Sequence, residues 1–331
     1  MPDVLGDHFE QFTIPLEPDA EGEVVATLVR YRPSPRLRLT RPAAAGADVL
    51  YVHGWSDYFF QTQLAEFWHH SGARFFALDL RKYGRSLRPH QTPGDIDSLA
   101  AYDEEIEAAL AIMNDSEAEG GRRPLILMGH STGGLTLSLW ADRHPGRAAA
   151  LILNSPWLEF QARGAGRAAL APLLGMQARL EPHAALPNVD FGFYTRSVSS
   201  TMDGEWTYNM DWRPLRGFAV HPRWLNAVLA GHARVAAGLS IDAPVLTLLS
   251  ARSAILPRWT PDMMRSDIVL VVEDIAQRAV RLGRTVTVAR IDGALHDVTL
   301  SAPDARADAY AQVLRWLHGY MRAGSDPLSG S

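Results

Sequence analysis

The segment Leu125-Ile126-Leu127-Met128-Gly129-His130-Ser131-Thr132-Gly133-Gly134 constrains the fold more tightly than any other stretch of the chain. Four apolar residues read as a buried strand, a G-x-S-x-G turn follows, and apolar residues at helical spacing (Leu135, Leu139, Trp140) continue beyond it. A strand that turns so sharply into a helix leaves no room for a Cβ at Gly129 or Gly133. The turn forces Ser131 into a strained backbone conformation and lifts its hydroxyl clear of the sheet, which makes Ser131 the candidate nucleophile. The competing reading is a glycine-rich helix cap with an incidental serine, and the strand–turn–helix setting argues against it.

Around this segment, short apolar runs alternate with helical periodicity. Strands are predicted at 48–53, 74–79, 124–130, 149–154, 244–250 and 285–291, and Glu23–Tyr31 reads as an early edge strand. Helices are predicted near 61–70, 98–114, 273–282 and 304–322, besides the one that follows Ser131. This alternation indicates a mostly parallel sheet with helices on both faces. It breaks from about Ser155 to Leu239, where prolines 156, 172, 182, 187, 214 and 222 interrupt a segment dense in aromatic residues. Residues 155–240 are therefore expected to form a cap inserted into a core made of 1–154 and 241–323. The tail Gly324–Ser331 is expected to be disordered.

Composition narrows the chemistry. The 331 residues are 47% apolar, enough for a large core, and the net charge of −5 comes without any Lys/Arg block of the kind that binds nucleic acid. There are no cysteines, which removes disulfides, thiol catalysis and thiolate metal sites. Lys82 is the only lysine, so a Schiff-base mechanism would have to rest on it, and nothing around it suggests that role. Met1–Glu10 has neither a basic leader nor an apolar core, and no run approaches the roughly 18 apolar residues of a membrane helix. A soluble, cytoplasmic protein is the expectation.

A serine hydroxyl needs a general base within hydrogen-bond reach. Of the twelve histidines, only His296 combines a glycine-containing loop with the end of a strand, in Asp292-Gly-Ala-Leu-His296-Asp297. The acid that orients the imidazole is expected after the strand ending at Ser250, yet Ser250-Ala-Arg-Ser253 carries no carboxylate. Asp267, which opens Asp-Ile-Val-Leu, is the preferred candidate, and Asp262, equally readable as a helix N-cap, is the alternative. Asp242 precedes the strand, and Asp297 adjoins the histidine too closely to fold back on it. For an oxyanion, the amide of Thr132 offers one donor. The amide of Trp55, in the loop His53-Gly54-Trp55-Ser56-Asp57-Tyr58, offers a second.

Together, His53-Gly54, Asp79-Leu-Arg81-x-x-Gly84-x-Ser86, Gly-His-Ser-Thr-Gly at 129–133 and Gly-Ala-Leu-His at 293–296 resemble the α/β-hydrolase superfamily over residues 20–322. Within it the chain is most similar to monoacylglycerol lipase and lysophospholipase-like esterases. The resemblance implies ester hydrolysis through an acyl-enzyme, with no cofactor or metal, and a structural role for Asp79 and Arg81. The chain departs from the family at two points. Relatives commonly read Arg-Gly-His-Gly where Arg81-Lys82-Tyr83-Gly84 stands, and they place their acid in a short turn directly after the strand, whereas here about sixteen residues precede Asp267.

The cap segment carries Trp157, Phe160, Phe191, Phe193, Tyr194, Trp206, Tyr208, Trp212, Phe218 and Trp224, next to the Ala/Leu-rich stretch Ala168–Leu180. Most of these aromatics pack the cap itself; as a set they suit a small hydrophobic ester substrate. An aminopeptidase or amidase on the same scaffold would use a cap acid such as Glu159, Glu181, Asp203 or Glu205 to bind a substrate amine. A homologue that binds ligand without turnover is the non-enzymatic alternative, and Ser131 argues against epoxide hydrolase and dehalogenase chemistry, which needs an aspartate at the elbow.

Overall fold

Alternation of apolar side chains in buried strands sends successive residues to opposite faces of a sheet, and both faces here are covered. The computed structural model describes residues 1–34, 41–115, 123–160, 184–186 and 190–321. Nine strands form one sheet among the described residues: β1 (Pro2–Asp3), β2 (Gly6–Asp19), β3 (Gly22–Tyr31), β4 (Asp48–Val52), β5 (Arg74–Asp79), β6 (Leu125–His130), β7 (Ala150–Asn154), β8 (Val245–Ser250) and β9 (Val286–Ile291). Their order is β1-β2-β3-β5-β4-β6-β7-β8-β9. The first three strands and the β3–β5 pairing are antiparallel, and the rest of the sheet is parallel.

The helices that follow are α1 (Thr62–His70), α2 (Asp103–Asp115), α3 (Thr132–Arg143), α4 (Phe193–Val198), α5 (Pro222–Ala237), α6 (Val272–Ala279) and α7 (Pro303–Tyr320). On one face Leu50 and Leu127 pack with Ile106 of α2, Trp140 of α3, Val228 of α5 and Ile275 of α6. On the other, Tyr51 and Met128 pack with Trp68 of α1 and Trp316 of α7. The central strands β4, β6, β7 and β8 are buried along their whole length, which is why they read as short, predominantly apolar runs. This is an α/β-hydrolase fold.

β3 is not an edge strand. It is enclosed by β2 and β5, because β2 extends the sheet outward. β2 is hard to recognise in sequence: its buried Phe9 and Ile14 are separated by the half-buried Glu10, Gln11 and Phe12 and the exposed Thr13, and Pro15 stands between Ile14 and Leu16. Pro15 lies beyond the short stretch that pairs with β1, where the missing N–H removes no outer ladder bond.

Between β7 and β8 the chain leaves the sheet. Helix α5 in this stretch buries Trp224, Leu225, Val228 and Val235 in the same cluster as the sheet. The Ala/Leu-rich stretch Ala168–Leu180, Glu181 and the tail Gly324–Ser331 lie outside the described residues. No helix among the described residues is long and apolar enough to cross a membrane.

Beneath the strand ends, Asp79 accepts hydrogen bonds from the amides of Phe59 and Arg85 and from the Arg85 guanidinium. A Cβ on Gly84, at φ 48°, would come within 2.6 Å of that carboxylate and 2.4 Å of Tyr58 Cβ, so the position requires glycine. Arg81 pairs with Glu104 and Glu105, and the buried Lys82, at φ 63°, pairs with Asp19 and Glu21. The two ion pairs hold Lys82 in a left-handed conformation that glycine adopts without cost.

Candidate active site

Ser131 occupies the tight turn between β6 and α3 with φ 50° and ψ −117°, a conformation that L-residues rarely adopt. Close packing makes the turn possible. A Cβ on Gly133 would lie 2.3 Å from the carbonyl oxygen of His53, and one on Gly129 would lie 2.7 Å from the backbone of Gly133. The amide of Ser131 donates to the Asn154 carbonyl (3.0 Å), and its own carbonyl accepts from Trp157 (3.0 Å) and Leu135 (3.2 Å). The peptide is thus fixed on both sides. The Ser131 side chain makes no hydrogen bond among the described residues, and contacts of this kind commonly tighten only with substrate bound.

His296 lies in the loop after β9 and is 2% exposed. Asp267 Oδ2 is 3.0 Å from its Nδ1. Asp267 is completely buried, and its Oδ1 accepts the amide hydrogens of Val269 and Leu270, each at 2.8 Å. This arrangement leaves one oxygen free to face the imidazole. The long segment before Asp267 closes on itself, because Asp267 and Arg252–Ala254 exchange backbone hydrogen bonds (2.8 and 3.0 Å). Ser253 secures the far side, donating to the Leu270 carbonyl and accepting from the Val272 amide. Asp262 instead lies exposed, paired with Arg252, and Asp242 accepts from the amide of Gly146.

The ring of His130, next to Ser131 in the chain, lies 4.9 Å from the His296 ring, so the elbow and the histidine loop meet. Burial pushes His130 down to about 4, with Asp297 opposing the fall and His296 adding to it. His53 is likewise lowered by burial; its Nε2 accepts from the Leu80 amide, which leaves it a structural member of its loop.

The loop after β4 comes equally close. A Cβ on Gly54 would lie 3.1 Å from Ser131 Cβ and from His130 Cδ2. Among the described residues, neither the Trp55 amide nor the Thr132 amide donates to another group. Trp55 turns its ring onto Trp224 (3.7 Å between centroids), and Trp157 follows Trp224 at 6.0 Å, an indole wall that begins at the Ser131 peptide. No group of three or more His, Asp or Glu side chains among the described residues is arranged to hold a metal ion.

Asn154, Arg213 and the network around Asp297 carry no motif in the sequence. Asn154 ends β7, where its side chain donates to Asp297 Oδ1 (2.6 Å) and accepts from the Val298 amide (3.0 Å). Burial pushes Asp297 up, but His130, Thr299 and Asn154 pull it below the ordinary carboxylate range. The one signal available was a polar residue closing an apolar strand.

The Hydrolase_4 family model, described as serine aminopeptidase, S33, matches residues 43–300, and the chain belongs to that family. No curated protein sequence matches it. Among solved structures, it is similar to a monoacylglycerol lipase from Paleococcus ferrophilus, with 19% identity, 83% of this chain and 97% of that one covered, and a TM-score of 0.59. A soluble variant of monoglyceride lipase from Saccharomyces cerevisiae shares 14% identity over 92% of this chain and 94% of that one, with a TM-score of 0.64. A thermostable carboxyl esterase from Bacillus coagulans shares 14% identity over 96% of this chain and all of that one, with a TM-score of 0.60. At these identities the likeness is one of fold.

Proposed function

We propose that the protein is a serine hydrolase that cleaves carboxylic esters of hydrophobic acyl groups, of the monoacylglycerol or lysophospholipid kind, through an acyl-enzyme. The observation that carries this reading is the 3.0 Å contact between Asp267 and His296 Nδ1, in a loop that meets the strained Ser131 turn.

In this reading Ser131 Oγ attacks the ester carbonyl carbon, and its proton passes to His296 Nε2. Asp267 holds the imidazole in the Nδ1–H tautomer and stabilises its cation. The amides of Trp55 and Thr132 take the oxyanion; losing one such donor typically costs about 2.7–4 kcal/mol of barrier. The alcohol departs with the proton from His296. Water, deprotonated by the same imidazole, then attacks the acyl-serine, and Ser131 recovers its proton. The indole wall of Trp55, Trp224 and Trp157 supports an apolar acyl group.

The family description favours a second reading, an aminopeptidase. That activity needs an acid in the site that is free to bind a substrate amine. Of the candidate cap acids, Glu159 is paired with Arg278, Asp203 is paired with Arg196 and Glu205 lies on the exposed surface, while Glu181 lies outside the described residues. These observations favour the ester. Among the described residues of 155–240, those around α4 and in the loop to α5 cover the site in this reading, while α5 itself packs with the core.

A panel of p-nitrophenyl esters of increasing chain length, assayed beside amino-acid anilides, tests the proposal. Ester turnover that rises with acyl length supports it. Turnover confined to anilides would establish the aminopeptidase instead.

A further inference from the structure

Arg213, in the loop between α4 and α5, is only 3% exposed. Its Nε lies 3.1 Å from Asp57 Oδ1, in the loop after β4 and two residues beyond Trp55. Its Cζ lies 4.7 Å from the Tyr208 ring centre and 5.0 Å from that of Tyr194. Tyr194 in turn sets its ring edge-on to His296, 5.4 Å between centroids. One cap side chain therefore reaches, through a single neighbour on each side, both the loop that carries the Trp55 amide and the ring of His296.

The guanidinium is held by charge and by aromatic faces. Its Nη1 has no hydrogen-bond partner among the described residues. The groups that face it are Asp57 from the β4 loop, Asp297 and, through Tyr194, His296 from the β9 loop, His130 from the elbow, and Tyr194 and Tyr208 from the cap. The charge of Asp267 also acts on Tyr194. Arg213 is thus the countercharge for carboxylates buried beneath the site. Two neighbouring contacts hold the same cap segment to the same loop: the Phe218 amide donates to Ser56 Oγ, and the Asn209 amide donates to Tyr58 Oη.

We propose that Arg213 is a positioning residue, whose buried charge fixes the Trp55–Asp57 loop and the His296 ring in the arrangement Ser131 needs for attack. The proposal rests on the serine-hydrolase reading above. Burial pushes the Asp57 carboxyl up to about 7, with Arg213 opposing and Asp297 adding to the rise. The attraction between Asp57 and Arg213 accordingly strengthens as the pH rises through neutrality.

The test uses Arg213→Lys, Arg213→Gln, Asp57→Asn and the Asp57→Asn/Arg213→Gln double variant. Their kcat and KM for a p-nitrophenyl ester and the rate of Ser131 labelling by a fluorophosphonate are measured from pH 5.5 to 8.5, with near-UV circular dichroism as the check on folding. Arg213→Gln is expected to lower kcat and the labelling rate roughly 100-fold while KM stays within about threefold. Arg213→Lys keeps the charge and is expected to recover most of the loss, and the double variant is expected to be no slower than Arg213→Gln. Asp57→Asn keeps the shape and removes the charge, so its deficit relative to wild type is expected to grow with pH; this arm decides the matter if Arg213→Gln fails to fold.

A rise in KM at unchanged kcat, an Arg213→Lys variant as slow as Arg213→Gln, or an Asp57→Asn deficit independent of pH would each overturn the positioning role while leaving the hydrolase reading intact. A wild-type protein whose Ser131 resists the fluorophosphonate would overturn both.

Discussion

The side-chain amide of Asn154 donates to Asp297 Oδ1 over 2.6 Å, while the main-chain carbonyl of Asn154 accepts the amide hydrogen of Ser131 over 3.0 Å. One residue at the end of β7 therefore ties the loop of His296 to the turn of Ser131. Asn154→Ala leaves Asp297 Oδ1 short of a donor and the buried Val298 amide without an acceptor. The variant is expected to lose roughly 1–3 kcal/mol of unfolding free energy in urea and to react more slowly at Ser131. Wild-type stability would show that the two loops are held together by other contacts.

Asp267 spends one oxygen on the amides of Val269 and Leu270 and the other on His296. Asp267→Asn keeps the shape but presents an amide to Nδ1, which favours the wrong tautomer. A fall in kcat of about 10⁴ is expected, with KM little changed. A rate near that of the wild type would move the orienting role away from Asp267.

Lys82 is buried against Asp19 (2.6 Å) and Glu21 (2.5 Å). Burial pushes both carboxyls up, but the hydrogen bond and charge of Lys82 outweigh it, and both lie below their ordinary values of 3.8 and 4.5. A depressed carboxyl contributes stability above its unfolded value and loses it as the pH falls through its folded value. Lys82→Met is therefore expected to cost roughly 1–3 kcal/mol at pH 7, discounted for the partial exposure of both acids, and less at pH 3, below the unfolded values of both acids. Chemical denaturation at the two pH values measures the difference. An equal loss at both would assign the effect to packing.

The parallel core was legible because β4, β6, β7 and β8 are covered on both faces and are predominantly apolar. β2 was not, since it lies near the edge of the sheet and exposes alternate residues. Ser131 and His296 are marked by local turns with glycine, whose geometry is written into adjacent residues. Asp267 follows about sixteen residues that carry no such mark, and what brings it back is the pairing of its own backbone with Arg252 and Ala254. The contacts of Arg213 with Asp57, and of Asn154 with Asp297, join residues more than a hundred positions apart. No periodicity records such pairings, because they depend on how the finished sheet brings its loop ends together.

Ester cleavage by way of an acyl-serine is tested most directly by acid quenching during turnover of a long-chain p-nitrophenyl ester, followed by peptide mass analysis. A burst of p-nitrophenol with the acyl mass on Ser131, and loss of both in Ser131→Ala, is the expected result. Steady turnover that persists in Ser131→Ala, with no acyl group on that peptide, would contradict it.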